Sequence, residues 1–327
     1  MRIVFFGSSE FAIPSLRALA ESGREPELVV TQPDAARGRG RAHEPSPLGR
    51  TALDLGLEVL RPEKVNEAGT AIAARRPDIF VVMAYGQKLG PALLSIPPLG
   101  AYNIHGSLLP RYRGAAPIQR AILNGEVQTG ITLLEVVEQM DAGDIVAQRV
   151  TAIAPEETAG ELHDRLAVMG AELLVELLPE IEAGRAPRRP QEPSQVTWAR
   201  RLGKEEGHLS FDQTVARIVN HVRAMTPWPG AYCFVSGGGR LAGTRLIVLE
   251  ARVDTGDAAP ASGIPAPLTR RVVQAPPGTI VAARDPLVVV ARDGLVAITR
   301  IMREGKKPLG TAAFLRGFPL NPGDRLE

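Results

Sequence analysis

Asn103 and His105 lie in the run Asn103-Ile104-His105-Gly106-Ser107-Leu108-Leu109-Pro110, and Asp141 follows 31 residues beyond Pro110. This amide, imidazole and carboxylate form the polar set needed to move an acyl group onto an amine. Such a transfer passes through a tetrahedral species carrying a negative oxygen. An Asn side-chain NH2 and a protonated imidazole can both donate to that oxygen, while a carboxylate keeps the imidazole charged or accepts the amine proton. Two-residue spacing puts Asn103 and His105 on one face of an extended strand, so Asp141 has to come from the loop of a neighbouring strand. No nucleophile competes for the role. Cys233 lies in a β-like run, Ser107 has no strand-to-helix elbow around it, and an amine acceptor makes a covalent intermediate unnecessary. Asp141 and Asp144 could be read as metal ligands, but with Gly143 between them and no third acidic group nearby, no metal is expected.

The elements that position these residues follow from apolar periodicity. The chain has 327 residues, 44% of them apolar and 23% charged, which suits two globular domains. Strand-like runs alternate with helix-like segments through the first half: Ile3 to Phe6, Ala12 to Ser22, Leu28 to Thr31, Pro47 to Leu55, Val59 to Leu60, a helix ending near Arg76, and Ile79 to Ala84. This βαβ rhythm predicts an α/β fold with a Rossmann-like, mostly parallel sheet, in which ligands sit beyond the carboxyl ends of the strands. The turn Gly7-Ser8-Ser9-Glu10 lacks the Gly-x-Gly-x-x-Gly fingerprint, so NAD is not expected. A strand over Ala101 to Ile104 then carries the Asn/His motif, Ala115 to Asn124 reads as a helix, Gly130 to Val137 as a strand leading to Asp141, and Thr158 to Leu178 as a closing helix.

Three prolines and three arginines between Arg185 and Pro193 read as a connection. Beyond Leu209 one helical segment, Thr214 to Met225, precedes several short β-like runs spaced for a small OB-like β-barrel. The predicted division is a catalytic domain over 1–189, a linker over 190–208 and a barrel domain over 209–327. Residues 1–207 carry 23 Lys+Arg against 27 Asp+Glu, leaving 15 against 9 for the remainder, or about −4 and +6. A basic second half is compatible with a polyanionic partner. The single cysteine excludes an internal disulfide, and no Cys/His spacing resembles a zinc site. The opening Met1 to Gly7 is too short an apolar run for a signal peptide, and no run of eighteen apolar residues predicts a membrane span. A reducing, cytoplasmic setting and a monomer are expected, with no membrane partner.

The segment from Asn103 to Arg120, with its continuation Arg111-Tyr112-Arg113-Gly114-Ala115-Ala116-Pro117-Ile118-Gln119-Arg120, resembles the signature of the methionyl-tRNA formyltransferase family. Likeness extends to Gly7-Ser8-Ser9-Glu10-Phe11-Ala12, Thr31-Gln32-Pro33-Asp34, Thr226-Pro227-Trp228-Pro229-Gly230 and Gly305-Lys306-Lys307-Pro308, nearly the whole chain. The resemblance implies the formyltransferase fold, and transfer of a formyl group from 10-formyltetrahydrofolate to the α-amino group of methionine on initiator tRNA. Asn103, His105 and Asp141 match the family's catalytic positions. Ser107, Leu108, Leu109 and Pro110 match its folate-binding segment, and the backbone of Met83, Ala84, Tyr85 and Gly86 is expected to line the pterin pocket. The loop Ala35-Ala36-Arg37-Gly38-Arg39-Gly40-Arg41 sets three arginines among glycines, a cationic segment suited to phosphates. In the family this loop meets the acceptor end of the tRNA, and Arg39 matches its key arginine. Ser9 stands where many members carry proline, and Ala42-His43-Glu44 is less basic than the family pattern. Arg223, Arg303, Lys306 and Lys307 are further candidates for tRNA contact.

Two other readings use the same residues. A folate hydrolase or small-molecule formyltransferase would share the first domain, and a different sequence after Gly114 would favour it. A noncatalytic RNA-binding protein would rest on the basic second half and the arginine loop, and would not need His105.

Overall fold

A computed structural model of the protein describes residues 1–37, 42–236, 241–254 and 275–327. The described chain packs as two units. The first comprises 1–117, 128–152 and 162–200; the second comprises 118–127, 153–161 and 201–327. The boundary falls inside the segment 190–208, since residues through Arg200 pack with the first unit and those from Arg201 with the second.

In the first unit, the runs Ile3–Gly7 (β1), Leu28–Val30 (β2), Val59–Leu60 (β5), Ile79–Met83 (β6) and Ala101–His105 (β7) pair in parallel. Gln128–Glu135 (β8) and Ile145–Ala152 (β9) extend the sheet antiparallel, giving the order β5-β2-β1-β6-β7-β8-β9. Continuous apolar composition explains the burial of every residue in β1 and β2, because helices cover both faces of a parallel sheet. Phe6, Phe80 and Tyr85 stack edge to face with centroids 4.9 and 5.6 Å apart, within a cluster that also holds Val4, Val30 and Leu93. A separate pair, Ala35–Arg37 (β3) with Ala42–Glu44 (β4), runs antiparallel. Helices Ile13–Glu21 (α1), Pro47–Asp54 (α2), Gly69–Ala73 (α3) and Pro91–Leu94 (α4) connect the parallel strands.

The antiparallel turn at β8 determines how Asp141 arrives. Register sets Glu135 beside Tyr102 and Thr132 beside His105, so β8 ends at the far end of β7 from His105. The following loop must therefore fold back to bring Asp141 to His105. It does so with Asp141 at φ 51°, in the left-handed region.

The second unit begins with most of Pro117–Leu123 (α5) and the first turn of Ala159–Glu182 (α6). Thr158 and Glu161 cap α6 reciprocally: the Thr158 amide donates to the Glu161 carboxylate at 2.9 Å, and the Glu161 amide to the Thr158 hydroxyl at 3.3 Å. Val215–Met225 (α7), capped by the Thr214 side chain, precedes strands Ala231–Ser236 (β10), Arg245–Val253 (β11), Ile280–Ala283 (β12), Leu287–Val290 (β13), Leu295–Arg303 (β14), Leu309–Gly310 (β15) and Arg325–Leu326 (β16). Helix Thr311–Gly317 (α8) lies between the last two. The sheet runs β12-β13-β14-β11-β10-β16, with β15 on β14. A bridge between Thr279 and Arg325 joins its two ends, so the sheet nearly closes into an antiparallel barrel. Leu246, Val248, Val296, Ile298 and Phe314 are buried, and Val288 packs with Ala282, Val290 and Leu295 in a separate cluster. Among the described residues no helix is long and apolar enough to cross a membrane.

Candidate active site

The C-terminal ends of β1, β6 and β7 lie side by side, since Gly7 pairs with Met83 and Asn103 with Val82. The strand order reverses between β1 and β6, the place where open α/β sheets hold ligands. Backbone groups there are already tied down. The Tyr85 carbonyl accepts from Ser8 Oγ at 3.2 Å and Gln32 Nε2 at 3.0 Å, and the Gln32 amide donates to Ser8 Oγ at 2.9 Å. Met83 and the Tyr85 ring belong to the core, and burial without a hydrogen-bond partner raises the Tyr85 phenol above its ordinary value. Ala84 and Gly86 are exposed and adopt positive φ, 44° and 90°. Of these four residues, only Ala84 and Gly86 face outward.

Asn103, His105 and Asp141 converge. Asn103 Nδ2 donates to Asp141 Oδ1 at 3.4 Å, and His105 Nδ1 lies 3.6 Å from Asp141 Oδ2. His105 Nε2 sits 2.8 Å from the Tyr112 carbonyl, which can only accept, so Nε2 carries the proton and Nδ1 is the nitrogen left to gain or lose one. The Gly114 amide donates to Asp141 Oδ2 at 2.9 Å. Gly114 has φ 120°, and a Cβ there would stand 2.7 Å from the Ala199 carbonyl oxygen, so no larger residue presents its amide in this way. Tyr112 also has positive φ, 63°, so left-handed residues cluster around the imidazole.

The run after His105 is fixed by one threonine. Thr132 Oγ1 donates to the Ser107 carbonyl at 2.6 Å and accepts from the Leu109 amide at 3.1 Å, while Gln148 Nε2 donates to the Leu109 carbonyl at 2.8 Å. Ser107 is fully buried and its hydroxyl donates to the Arg111 carbonyl at 2.7 Å. Leu109 packs with Leu134 and Ile145, leaving Leu108 and Pro110 half-buried at the edge of the site.

The cationic residues fall into different settings. Arg37 ends β3, and Arg39 and Arg41 lie outside the described residues. Arg223 donates to Asn220 Oδ1 and to the carbonyls of Ala154 and Glu157 at 2.9–3.3 Å, and burial pulls its guanidinium below the usual value. Those bonds occupy it within its own unit. Arg303 lies over the Phe318 ring at 5.0 Å, whereas Lys306 and Lys307 are exposed on the turn after β14. Among the described residues, no three His, Cys, Asp or Glu side chains gather as a metal-binding group.

Motif spacing gives no sign of Gln191, and it marks Arg113 only as part of the segment from Asn103 to Arg120. Gln191 Nε2 donates to the carbonyls of Asp141 and Gly143, both at 2.8 Å, and its Oε1 accepts from Arg113 Nε at 3.0 Å and Nη2 at 2.7 Å. A lone glutamine in a proline-rich stretch carries no periodic signal.

Residues 1–178 match the formyl transferase family model and 201–319 match the formyl transferase C-terminal domain model. A methionyl-tRNA formyltransferase of Moorella thermoacetica is 43% identical, over 100% of this chain and 99% of the relative. The chain belongs to the methionyl-tRNA formyltransferase family. A further family member, from Methylococcus capsulatus, is 42% identical over 100% of this chain and 99% of its own. Solved structures share the fold at lower identity. The sugar 3N-formyltransferase WlaRD, crystallised with dTDP and 5-N-formyl-THF, has a TM-score of 0.63 at 17% identity over 94% of this chain and 99% of that one. HypX of Aquifex aeolicus, in complex with tetrahydrofolic acid, gives 0.60 at 21% over 100% of this chain and 50% of that one.

Proposed function

We infer that the protein transfers the formyl group of 10-formyltetrahydrofolate to the α-amino group of methionine on initiator methionyl-tRNA, in the cytoplasm, giving the formylated tRNA that starts translation. The observation that carries this reading is the Asn103–His105–Asp141 constellation in a chain similar over its full length to methionyl-tRNA formyltransferases. The uncharged amine attacks the formyl carbon, and the carbonyl oxygen takes up negative charge. Asn103 Nδ2–H and a protonated His105 Nδ1 donate to that oxygen. Asp141 steadies the imidazolium and accepts the proton that the amine gives up. The bond from the formyl carbon to N10 then breaks, and N10 takes the proton that Asp141 accepted from the amine, so charge and atoms balance and the carboxylate is restored. The three groups lie in one unit of one chain, so a monomer suffices for the chemistry.

We assign the folate to the edge formed by Ala84, Gly86, Leu108 and Pro110, at the carboxyl ends of β6 and β7. Ser107 and Leu109 hold this edge from beneath, as do Met83 and Tyr85. We assign the tRNA to the arginine segment Arg37, Arg39 and Arg41 and to Lys306, Lys307 and Arg303 of the second unit. Arg223, held by Asn220 and by the carbonyls of Ala154 and Glu157, is assigned to the same tRNA surface. Incubation with 10-formyltetrahydrofolate and three acceptors (charged initiator tRNA, an aminosugar nucleotide and water) tests the function. Formyl transfer to the tRNA alone is expected, and preference for either other acceptor would overturn the reading.

The arginine segment yields a separate prediction. Arg39→Ala should raise the KM for charged tRNA by about tenfold, the loss of a phosphate contact of roughly 1.4 kcal/mol, and leave the KM for the folate donor unchanged. Identical tRNA kinetics in this variant would remove Arg39 from the interface.

A further inference from the structure

We propose that Gln191, locked by Arg113, is the positioning residue that holds the Asp141 loop in its reactive conformation. The proposal rests on the role assigned to Asp141 above. Asp141 has φ 51°, a conformation that L residues adopt only when their surroundings impose it, at a cost of order 1–3 kcal/mol. The loop that carries it must also fold back from the far end of β7. Two carbonyls of this loop, those of Asp141 and Gly143, accept hydrogen bonds from the single Gln191 amide nitrogen at 2.8 Å each. Each N–H of that NH2 is thereby used, which fixes the amide plane. Arg113 settles which end of the amide is which. Its guanidinium gives two charge-assisted hydrogen bonds to Gln191 Oε1, and Arg113 itself is only 7% exposed.

The arrangement is continuous with the chain on both sides of the imidazole. Arg113 and Thr197 pair through the Arg113 amide at 2.9 Å, the Ala199 amide donates back to the Arg113 carbonyl at 2.7 Å, and Thr197 Oγ1 accepts from the Tyr112 amide at 2.8 Å. Arg189 exchanges both backbone hydrogen bonds with Ile145, just beyond the loop, at 2.8 and 3.0 Å. Residues 189–199 therefore strap together the segment that presents Gly114 N–H and the loop that presents the Asp141 carboxylate. Gln191 is the one side chain in the strap that bonds to both.

Gln191→Glu separates positioning from mere stability. The carboxylate keeps the size of the side chain and pairs with Arg113, but it loses both N–H donors and faces the Asp141 and Gly143 carbonyls with a negative oxygen. The expected result is kcat reduced about 10- to 100-fold, the effect of misplacing a catalytic group by an ångström or less, with the KM values for folate donor and charged tRNA within twofold of wild type. In the same variant, hydrogen exchange at the Gly114 amide, which donates to Asp141, should quicken more than tenfold, while the Phe80 amide, bonded to the Gly100 carbonyl in the sheet, stays as protected as before. Wild-type kcat in Gln191→Glu overturns the proposal, and so does an effect confined to the two KM values. Should the wild-type protein itself form no formylmethionyl-tRNA, the functional reading fails instead. The Gly114 exchange rate then decides on the strap alone, and an unchanged rate refutes it.

Discussion

Replacing His105 with alanine, or Asp141 with asparagine, lowers the rate of formyl transfer by about 10²- to 10⁴-fold, the range for losing a positioned acid or base, while charged tRNA binds as before. The two substitutions test different halves of one device. His105→Ala removes the Nδ1 donor, leaving Asn103 as the one side-chain donor of the constellation. Asp141→Asn keeps the shape, and its amide oxygen can still accept from the Gly114 amide at the 2.9 Å seen for the carboxylate, but it removes the charge that steadies an imidazolium 3.6 Å away. Because the two act as a unit, the double variant should be little slower than the worse single one. Single-turnover rates at saturating donor, measured beside tRNA affinity, check this. A rate within threefold of wild type in either single variant would refute the catalytic assignment, and would fit a protein that binds RNA without chemistry.

Gly143→Ala should damage both stability and catalysis, for a reason that owes nothing to its own chemistry. A Cβ at position 143 would press on the Glu135 carbonyl oxygen and stand 2.8 Å from the carbonyl carbon, where β8 gives way to the loop. Relief requires the backbone to move, and overpacking of this kind costs about 1–3 kcal/mol. In a unit of this size that lowers the melting temperature by roughly 2–12 °C. The same movement displaces the Gly143 carbonyl from Gln191, so transfer should slow by about 10²-fold. Gly69→Ala is the control: it opens α3, its nearest neighbour is the Leu93 side chain at 3.6 Å, and the change should raise stability by about 0.5–1 kcal/mol. Thermal melts of the pair should move in opposite directions. Equal melting temperatures for Gly143→Ala and wild type would show that the loop is not pinned where the structure has it.

Much of this was legible in the sequence because it is written in local patterns. Continuous apolar runs mark β1, β2 and β6, and the spacing of Asn103 and His105 puts both on the Asp141 side of β7, as the distances to Asp141 require. The short β-like runs beyond Leu209 foretell the barrel. Other features have no local pattern. β9 was not foreseen, since Gln148, Arg149 and Thr151 interrupt its apolar residues, and at the sheet edge only part of it is buried. The antiparallel entry of β8 depends on pairing across the sheet and on no feature of its own residues. Proline and arginine made the stretch after Arg185 read as a connection, yet its backbone groups bond to Pro110, Arg113 and Ile145. Gln191 and Arg113 are 78 residues apart, and their partnership is a fact of tertiary structure alone.

That separation also sets an order of assembly on the ribosome. Asp141 leaves the exit tunnel 50 residues ahead of the glutamine that grips its carbonyl, an interval of about 3–10 s at synthesis rates of roughly 5–20 residues per second. During that interval the nascent chain owns the imidazole and the carboxylate but not the brace that aligns them. If Gln191 acts as proposed, the centre runs about 10- to 100-fold below its full rate until translation has passed the end of the long helix α6. Cutting the chain after residue 189 would leave it in the same unbraced condition.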